Sequence, residues 1–597
     1  MATYAIGIDL GTTNSVLAYA RLDADEPEVH VLPIPQLVAP ATVESRFALP
    51  SFLYLGSEYE ADRGNYDLPW QPAGRDAVGE SARKQAAETP TRTVAAAKSW
   101  LCHHGVDRHQ PILPWGAPDD VPKVSPVATS QRYLAHLVAA WQHTFPDAPI
   151  AAQRVVLTVP ASFDASAREL TREAALAAGL PEDVVLLEEP QAALYAWLVE
   201  QGERWRRHLD VDDTLLVCDV GGGTTDFTLI GVGETDGTLA LQRLAVGTHT
   251  LIGGDNMDLT LAHFVSHAFA EKDVQLDAWQ SVALWHACRE AKEVLLAPDS
   301  PKKHPVTVLG RGRRLVGGTV KVDMEREAVQ SLLLDGFFPM CEAYDRPTRQ
   351  RLSGFRELGL PYEADVAVTR HLAHFLGLHG QDGQPAQVTH VLFNGGVLKA
   401  AIFRTRLMEV LRQWYGEATP PQVLEGTVDL DYATARGAAY YAFVQEGRGV
   451  RIHGGTARSY YVGMETSGLA IPGASRPLKA LCVVPFGMEE GTEVMVPSAA
   501  IGLVVGEPCR FRFFSSVVRK EDKPGVVLER WSEEELRETD ALEATLATAK
   551  ETEEGYVPVR FASRITELGM FELWCVSTLS EQRWKLEFSV REDAEEA

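Results

Sequence analysis

The sequence lacks the features that mark membrane proteins, secreted proteins and zinc-stapled proteins. No stretch approaches the roughly 20 uncharged apolar residues that a membrane-spanning helix needs. The opening segment MATYAIGIDLGTTNSV has no basic leader of the signal-peptide type. Seven cysteines are scattered without a CxxC pair, which argues against a disulfide framework or a structural zinc site. These absences predict a reducing, cytoplasmic setting and no membrane association.

Positive charge is also scarce. Lysine and arginine number 56 against 82 aspartates and glutamates, so the formal net charge is −26. Nucleic-acid binders usually present basic surfaces, and the sequence therefore predicts no nucleic-acid partner. Two familiar phosphate-binding signatures are missing as well, the GxxxxGK[ST] loop and the protein-kinase set. Any phosphate cradle in this chain is therefore of a different type.

What the sequence does contain is an internal repeat. IGIDLGTTNSVLAYA, from Ile6 to Ala20, resembles LLVCDVGGGTTDFTLI, from Leu215 to Ile230. Each segment runs from an apolar strand through an aspartate and a glycine–threonine turn into a second apolar strand. This pattern predicts two β-hairpins about two hundred residues apart.

The residues of these turns suit a polyphosphate. Glycines let the backbone approach a phosphate and expose its N–H donors, and threonine hydroxyls add further donors. An aspartate at each strand end, Asp9 and Asp219, suits Mg²⁺, which proteins hold largely through water. Two such hairpins facing each other would grip one polyphosphate from both sides. The alternative of two ordinary tight hairpins does not account for their matched order of Asp, Gly and Thr.

With these hairpins, the chain resembles the 70-kDa heat-shock (DnaK-type) chaperone family, within the actin and sugar-kinase superfamily. The resemblance covers residues up to about 440. Six further motifs follow in the family's order: VVLTVPASFDASARELTREAALAAGL from Val155, LLEEPQAALYAW from Leu186, THTLIGGDNMDLTLA from Thr248, ACREAKEVLLA from Ala287, VLFNGGVLKAAIF from Val391 and DLDYATARGAAYYA from Asp429. The resemblance implies an α/β fold with a bilobed, actin-like (ribonuclease-H-like, duplicated) ATPase domain.

The resemblance also implies roles for the residues that match the family's motifs. Catalytic roles fall on Lys98, Glu189, Asp219 and Thr224. Mg²⁺ would be organised by Asp9 and Asp219, and a monovalent cation such as K⁺ would be bound with the help of Asp226. Contacts to ATP or ADP fall on Gly11, Thr12, Thr13, Asn14, Gly221, Gly222, Gly223, Thr225, Gly254, Lys292, Gly395, Gly396, Lys399 and Asp431. Pro160 and Arg168 match a relay between the nucleotide and a partner domain.

Several positions depart from the family's pattern at the base end of the expected site. Glu293 stands where the family often has a base-stacking arginine, and Lys399 replaces an arginine that packs on the ring. Leu296 and Val397 stand where serines are common. ATP is the favoured nucleotide, and the strictness of selection for adenine is left open.

We expect three regions: a nucleotide-binding domain at 1–445, with lobe I about 1–210 and lobe II about 211–445, a linker at 446–459, and a β-sandwich at 460–597. The linker EGRGVRIHGGTARS is glycine-rich and basic, where the family has a leucine-rich acidic one. Short apolar runs beyond it predict the sandwich, with Ala541–Ala549 favoured as strand and a capping box at Ser532. The resemblance implies a member without the family's helical lid, because the sequence runs out at REDAEEA.

The leading hypothesis is an ATP-dependent chaperone with slow hydrolysis that binds unfolded or extended peptide segments. Such a peptide could add as a strand or lie in a groove. A J-domain-type co-chaperone or a nucleotide-exchange factor would be its partners. Two alternatives stay open: a regulatory or nucleotide-exchange/assembly partner with slow ATPase and no peptide binding, and a small-molecule kinase of the same superfamily. The histidines of RHLAHFLGLH, His371, His374 and His379, are interpreted as ordinary helix residues rather than metal ligands.

Overall fold

The computed structural model describes most of the chain. The described residues are 2–588 apart from 25, 236–237, 249, 272–273, 309–319, 349–362, 381–382, 417–418, 427–428, 448–451, 454, 457, 466–477, 490, 505–506, 546–555 and 567–569. None of the helices in this part is long and apolar enough to cross a membrane.

Residues up to 210 alternate strands and helices. Their bounds are β1 (Tyr4–Leu10), β2 (Asn14–Arg21), β3 (His30–Val31), β4 (Ile34–Ala39), β5 (Thr42–Arg46), β6 (Leu49–Pro50), β7 (Leu53–Leu55), α1 (Glu58–Ala61), β8 (Asp76–Val78), α2 (Glu80–Glu88), β9 (Thr93–Val94), α3 (Ala97–Trp100), α4 (Pro126–Thr144), β10 (Arg154–Val159), α5 (Ala165–Ala177), β11 (Val185–Glu188) and α6 (Glu189–Gln201). Five of these strands follow the order β11-β10-β1-β2-β3, with β6 added beside β2, and we call this the first sheet.

A second set of elements follows. Their bounds are β12 (Thr214–Val220), β13 (Thr225–Thr235), β14 (Thr238–Val246), α7 (Gly254–Ala270), α8 (Ala278–Leu296), β15 (Lys303–Val308), β16 (Val320–Glu325), α9 (Arg326–Phe337), α10 (Val368–Leu378), β17 (His390–Asn394), α11 (Ala401–Tyr415), β18 (Gln422–Val423), α12 (Leu430–Val444) and β19 (Ile452–His453). Short 3₁₀ turns lie at Pro90–Arg92, Ile150–Ala152, Gly202–Arg207 and Gly396–Lys399. The second sheet has the order β18-β17-β12-β13-β14-β19.

The two sheets repeat one arrangement of strands. Each contains an antiparallel hairpin, β1–β2 or β12–β13, whose first strand lies parallel to a later one, β10 or β17. The predicted hairpins are therefore confirmed, and the internal repeat in the sequence corresponds to a repeat of strand order. The fold has mixed α/β content, as expected.

Helix α12 ties the two sheets together. In the chain it lies between β18 and β19 of the second sheet, yet it packs on β1 and β2 of the first sheet and on α6. Glycine is required at both contacts, because a Cβ on Gly7 would lie 2.2 Å from the backbone nitrogen of Ala439, and one on Gly437 would lie 1.7 Å from the carbonyl oxygen of Ala192. Helix α6 in turn contacts β12 and β13. These contacts consequently hold both hairpins, and therefore their turns, at fixed positions.

The remaining described strands form one C-terminal sheet. Their bounds are β20 (Ser459–Glu465), β21 (Leu478–Val484), β22 (Glu493–Met495), β23 (Ile501–Val504), β24 (Pro508–Ser516), β25 (Val527–Leu528), β26 (Arg537–Thr545), β27 (Tyr556–Ile565), β28 (Phe571–Ser577) and β29 (Arg583–Phe588). Strand β29 pairs with both β28 and β26 and so joins the two halves. The sheet curls on itself, because Phe571 of one half stacks on Tyr460 and Phe513 of the other, with ring centroids 5.2 and 5.4 Å apart.

This curled sheet bears on three predictions. A single hydrogen-bonded sheet stands where a β-sandwich was expected, although its two halves share a core as sandwich sheets do. The strand expected at Ala541–Ala549 is present as far as Thr545, and residues 546–549 lie outside the described residues. At Ser532 the backbone N–H donates to Glu535 Oε2 at 3.0 Å, which is half of the predicted capping box, in a turn.

Candidate functional site

The ends of the two hairpins meet at a cleft of about 660 Å³. Its wall contains most of the site residues predicted from the sequence, namely Asp9, Gly11, Thr12, Thr13, Asn14, Lys98, Glu189, Asp219, Gly221, Gly222, Thr224, Gly254, Lys292, Gly395, Gly396, Lys399 and Asp431. Residues from α3, α6, α7, α8 and α12 thus face the same space as both turns. The fold brings together groups that are more than four hundred residues apart in sequence, such as Asp9 and Asp431.

Three predicted residues lie behind this wall. The Thr225 hydroxyl donates to the carbonyl oxygen of Ile252 at 2.8 Å. Asp226 accepts the backbone N–H of Ser162 at 3.2 Å, and Gly223 lies against Ser99, whose Oγ would be 2.6 Å from an added Cβ. The predicted nucleotide and cation roles of these three residues stay predictions.

The two turns are equally long but chemically different. Strand pairing sets Leu10 opposite Ser15 and Val220 opposite Thr225, so the turns are Gly11–Asn14 and Gly221–Thr224. The first turn therefore reads Gly-Thr-Thr-Asn and the second Gly-Gly-Gly-Thr. The threonine pairs that look equivalent in sequence are thus displaced by two positions in the structure. The first turn offers two threonine hydroxyls, whereas the second offers the backbone of three glycines and a single threonine hydroxyl.

The turns also fit against each other. A Cβ on Gly222 would lie 2.1 Å from Thr13 Oγ1, so the threonine of one turn occupies the space that a side chain on the other would need. Within the first turn, a Cβ on Gly11 would lie 2.1 Å from the carbonyl oxygen of Asn14. Glycine is required at both positions by close approach of neighbouring atoms.

Each hairpin presents a supported aspartate at the end of its first strand. Asp9 lies opposite Thr158 of the neighbouring parallel strand, and the Thr158 hydroxyl donates to Asp9 Oδ1 at 2.9 Å. Asp219 lies opposite Asn394 in the same way, and Asn394 Nδ2 donates to Asp219 Oδ2 at 2.7 Å. The two sheets therefore orient equivalent carboxylates with equivalent neighbours. Sequence reasoning missed both supporting residues, which the repeat of strand order identifies.

Lys98 is a buried cation that interacts electrostatically with both of these carboxylates. It lies in α3 and forms an ion pair with Glu189, the first residue of α6. Burial alone would lower the pKa of Lys98, but attraction to Glu189, Asp9 and Asp219 raises it. The lysine is therefore held in its charged form and cannot serve as a base. It can stabilise negative charge that arrives in the cleft.

The charged forms of three buried carboxyl groups, those of Asp9, Asp219 and Asp226, are electrostatically unfavourable in the absence of a further cation. Burial raises the pKa of Asp9 to about 7, with repulsion from Glu189 adding to this and attraction to Lys98 opposing it. Burial, together with Glu189, Asp226 and Asp9, raises the pKa of Asp219 well above its usual range. Burial also raises the pKa of Asp226 to about 6. The cleft thus holds more buried negative charge than Lys98 balances, and a further cation fits there.

Across the described residues, no group of three or more His, Cys, Asp or Glu side chains could hold a metal ion. This applies to His371, His374 and His379, and His371 Nε2 bonds to the Asp365 carbonyl oxygen at 2.8 Å. Mg²⁺ keeps several water ligands and commonly shares the rest between one or two carboxylates and a substrate phosphate. Asp9 and Asp219 suit that kind of binding.

The far end of the cleft contains an ion-pair network that sequence reasoning missed. Arg289 bridges Asp255 at 2.5 Å and Asp258 at 2.8 Å. Lys292 lies 2.6 Å from Asp258 and donates to the Gly254 carbonyl oxygen at 3.0 Å. This network fixes the start of α7 against α8. The signal was the placement of two aspartates and two cations three residues apart, which puts each pair on one helix face.

The positions that depart from the family pattern also line the cleft. Glu293, Leu296 and Val397 are in its wall. Lys399 is there too, 2.5 Å from Asp431 and 3.3 Å from Asp429. Its ammonium is therefore already paired with Asp431 of the wall and with the nearby Asp429.

A chain of charged groups leads away from the cleft towards the C-terminal sheet. Glu188 precedes Glu189 and forms ion pairs with Arg168, at 2.8 Å, and with Arg243. Arg243 also donates to the carbonyl oxygen of Gly455. Burial would raise the pKa of Glu188, but the two guanidiniums hold it below its usual range. Arg168 therefore contacts the residue that precedes Glu189, and its predicted relay role with Pro160 stays a prediction.

Comparison with known proteins agrees with this geometry. The family model described as Hsp70 protein matches residues 69–346. The chain is 27% identical over 369 residues to the "Chaperone protein HscA homolog" of Acinetobacter baumannii, covering 60% of this chain and 51% of that protein. It is 32% identical over 302 residues to the HscA homolog of Bordetella pertussis, covering 49% and 41%, and 31% identical over 273 residues to "Chaperone protein HscA" of an Enterobacter species, covering 44% and 37%. The chain spans about half the length of these curated relatives, or less.

Proposed function

Because this chain belongs to the Hsp70-type family, we propose that it is an ATP-dependent molecular chaperone. ATP binds in the cleft between the two sheets and is hydrolysed slowly there. The nucleotide cycle is coupled to the binding of unfolded or extended peptide segments. The bilobed ATPase domain spans 1–445, the linker 446–459 and the peptide-binding region 460–597.

The observation that carries the proposal is the pair of supported aspartates facing one cleft beside Lys98. Phosphoryl transfer asks little covalent chemistry of a protein and depends on positioning and charge. Lys98 and the N–H groups of both turns stabilise charge on the terminal phosphate. Glu189 and Asp219 orient the attacking water, and Thr224 contributes its hydroxyl.

Cations complete this arrangement. Asp9 and Asp219 would hold Mg²⁺, largely through water, and Asp226 would help to hold K⁺. Mg²⁺, when bound, neutralises phosphate charge. Removal of the cation leaves the carboxylates repelling each other and the substrate, which is the physical reason to expect an absolute requirement for it.

The nucleoside end of the site is expected to select its ligand less strictly than the phosphate end does. Gly254, Gly395 and Gly396 let the backbone approach the nucleoside, while Lys292, Lys399 and Asp431 supply polar contacts. Both lysines are paired with carboxylates, so their net attraction for the nucleotide is reduced. Adenine remains the favoured base.

The C-terminal sheet is the proposed peptide site. An extended segment can add to a sheet edge by main-chain hydrogen bonds or lie in a groove between loops. A J-domain-type co-chaperone or a nucleotide-exchange factor would regulate the cycle.

A second candidate is a regulatory or assembly partner that binds nucleotide but no peptide. The segment at 446–459 favours it, because the glycine-rich, basic sequence lacks the leucine-rich character of the family's linker. Residues 448–451, 454 and 457 of this segment lie outside the described residues. A sugar-type kinase of the same superfamily is a third possibility, which no observation in the structure favours.

Steady-state ATP hydrolysis, with and without a permanently unfolded protein, separates these candidates. The proposal expects slow hydrolysis that the unfolded protein stimulates. Hydrolysis without stimulation, together with no binding of labelled peptide at high micromolar concentration, would identify the regulatory partner. Turnover that requires a sugar-like acceptor would identify the kinase, and absence of any turnover would refute the ATPase proposal.

A further inference from the structure

One buried arginine differs from the other buried cations of the protein. Among the described residues, the buried lysines and arginines are Lys98, Arg108, Arg243, Arg289, Lys292 and Arg458. The first five each have a carboxylate partner: Glu189, Asp540, Glu188, Asp255 with Asp258, and Asp258. Arg458 has no carboxylate within ion-pair distance in the part of the chain that the structure describes, although only 4% of it is exposed.

The hydrogen bonds of Arg458 are also incomplete. Nη2 donates to the carbonyl oxygen of Ser162 at 2.7 Å, and Nη1 approaches Ser515 Oγ at 3.4 Å. Nε is buried with no hydrogen-bond partner. Burial lowers the pKa of Arg458, and repulsion by Arg537 and Arg168 adds to this, while Tyr460 and Asp164 oppose it.

Arg458 lines a second cavity, of about 410 Å³, between the C-terminal sheet and the rest of the protein. Arg168 and Arg243 line the same cavity and share the single buried carboxylate of Glu188. Gln191 adds an amide, and the remaining acidic residue of the wall, Glu489, is exposed. Three guanidiniums therefore face a space many times the roughly 30 Å³ that one water occupies in the liquid.

An unpaired buried charge is costly, and proteins pair such charges almost without exception. Arginine prefers oxygen anions, because its planar fork matches the two oxygens of a carboxylate or phosphate. The cavity has the charge, the donors and the room for such a group.

We propose that this interdomain cavity binds a small oxyanion, a phosphate or a carboxylate, that accepts hydrogen bonds from Arg458. The anion lies between the start of β20, which Arg458 precedes, and the two arginines of the preceding region. It therefore strengthens the contact between the C-terminal sheet and the rest of the chain. This site is separate from the ATP cleft and does not rest on ATP hydrolysis.

The test is thermal melting and calorimetric titration of the full chain. Inorganic phosphate and malonate are each titrated against sodium chloride at matched ionic strength, which separates the two sources of oxyanion. The variants are Arg458→Met, Arg560→Met as a control on an exposed arginine of β27, and Lys98→Ala as a control for anions that enter the ATP cleft.

We expect saturable stabilisation by at least one oxyanion in the wild-type chain, in Arg560→Met and in Lys98→Ala, and at least tenfold weaker binding in Arg458→Met. Absence of saturable stabilisation in the wild-type chain would overturn the site. Undiminished binding by Arg458→Met, or loss of the response in Lys98→Ala, would do so as well.

Should Arg458→Met fail to fold, Arg458→Lys replaces it. Lysine keeps the charge but lacks the fork. We expect binding several-fold weaker than in the wild-type chain, and unchanged affinity would refute the assignment to the guanidinium.

Discussion

The two turns that face the cleft have the same length and follow aspartates supported from equivalent strand positions, yet they provide different chemistry. The first places Thr12 and Thr13 where the second has Gly222 and Gly223. Opposite its aspartate, the first hairpin has the buried Val16, and the second has Asp226. The two hairpins therefore share an arrangement of strands while the side chains of their turns differ.

The electrostatic surroundings of Asp9 and Asp219 also differ between the two hairpins. Attraction to Lys98 opposes the rise in the pKa of Asp9 and is weaker for Asp219, where repulsion from Asp226 adds to the rise. The first hairpin is thus partly neutralised by the protein. In the proposed function, the second hairpin would therefore depend more on a bound cation.

The largest expected effect comes from removing the ammonium group of Lys98, which acts more strongly on Asp9 than on Asp219. Lys98→Ala should reduce ATP turnover by at least about 100-fold, because removal of one preorganised charge-stabilising donor typically costs that much. Nucleotide affinity should fall far less, since both turns and Asp219 remain. Single-turnover kinetics and equilibrium titration measure the two quantities. Lys302→Ala, at an exposed lysine, is the control, and unchanged turnover in Lys98→Ala would refute the catalytic role.

A second prediction uses the close contact between the turns. Gly11→Ala should lower the free energy of unfolding by about 1–3 kcal/mol, because its Cβ meets the backbone of Asn14. Gly222→Ala meets the Thr13 side chain, so adding Thr13→Gly should restore much of the lost stability. Denaturant unfolding measures both. Failure of Thr13→Gly to rescue Gly222→Ala would mean that the turns do not pack as described.

The third prediction compares the aspartates. Asp219→Asn should weaken Mg²⁺-dependent ATP binding by about tenfold, equivalent to about 1.4 kcal/mol, and Asp9→Asn should weaken it less. The reason is that Lys98 already offsets part of the charge of Asp9. Titrations at several Mg²⁺ concentrations provide the comparison. An equal or larger loss in Asp9→Asn would reverse the ranking of the two hairpins.

The smallest expected effect concerns pH. A carboxyl group whose pKa is raised on folding binds more protons in the folded state, so stability is lost as pH rises from the unfolded pKa to the folded one. For Asp9 this window runs from about 4 to about 7. The nucleotide-free, Mg²⁺-free protein should therefore lose stability across it, and Asp9→Asn should lose less. Neighbouring carboxylates reduce the difference, because they take up protons when Asp9 cannot. Parallel pH dependence of the two melting temperatures would count against the assignment.

The sequence predicted the hairpins, and it selected most of the residues that line the cleft. This was possible because glycine, threonine and aspartate at a turn have few structural explanations, and because the pattern occurs twice. The sequence could not predict that the two threonine pairs are displaced by two positions. Comparison of the two segments by residue type aligns these pairs, whereas the pairing of the strands places them at different positions of the turns. Thr158 and Asn394 were missed because only the parallel neighbours of β1 and β12 bring them beside Asp9 and Asp219.

The C-terminal region was less predictable. Alternating apolar residues identified its strands, but whether β29 continues one sheet or starts another depends on pairing between strands distant in sequence. The unpaired Arg458 was also hidden, because its surroundings come from Ser162 and Ser515, which are hundreds of residues and tens of residues away, respectively. Contacts of this kind are set by packing and leave no local pattern.

The central claim is that both hairpins grip one nucleotide. The most direct measurement is calorimetric titration of ATP into the wild-type chain and into Asp9→Asn and Asp219→Asn, each with Mg²⁺ and with a chelator. The account predicts one Mg²⁺-dependent site per chain that both substitutions weaken. Binding independent of Mg²⁺, two independent sites, or a site affected by only one of the two substitutions would contradict it.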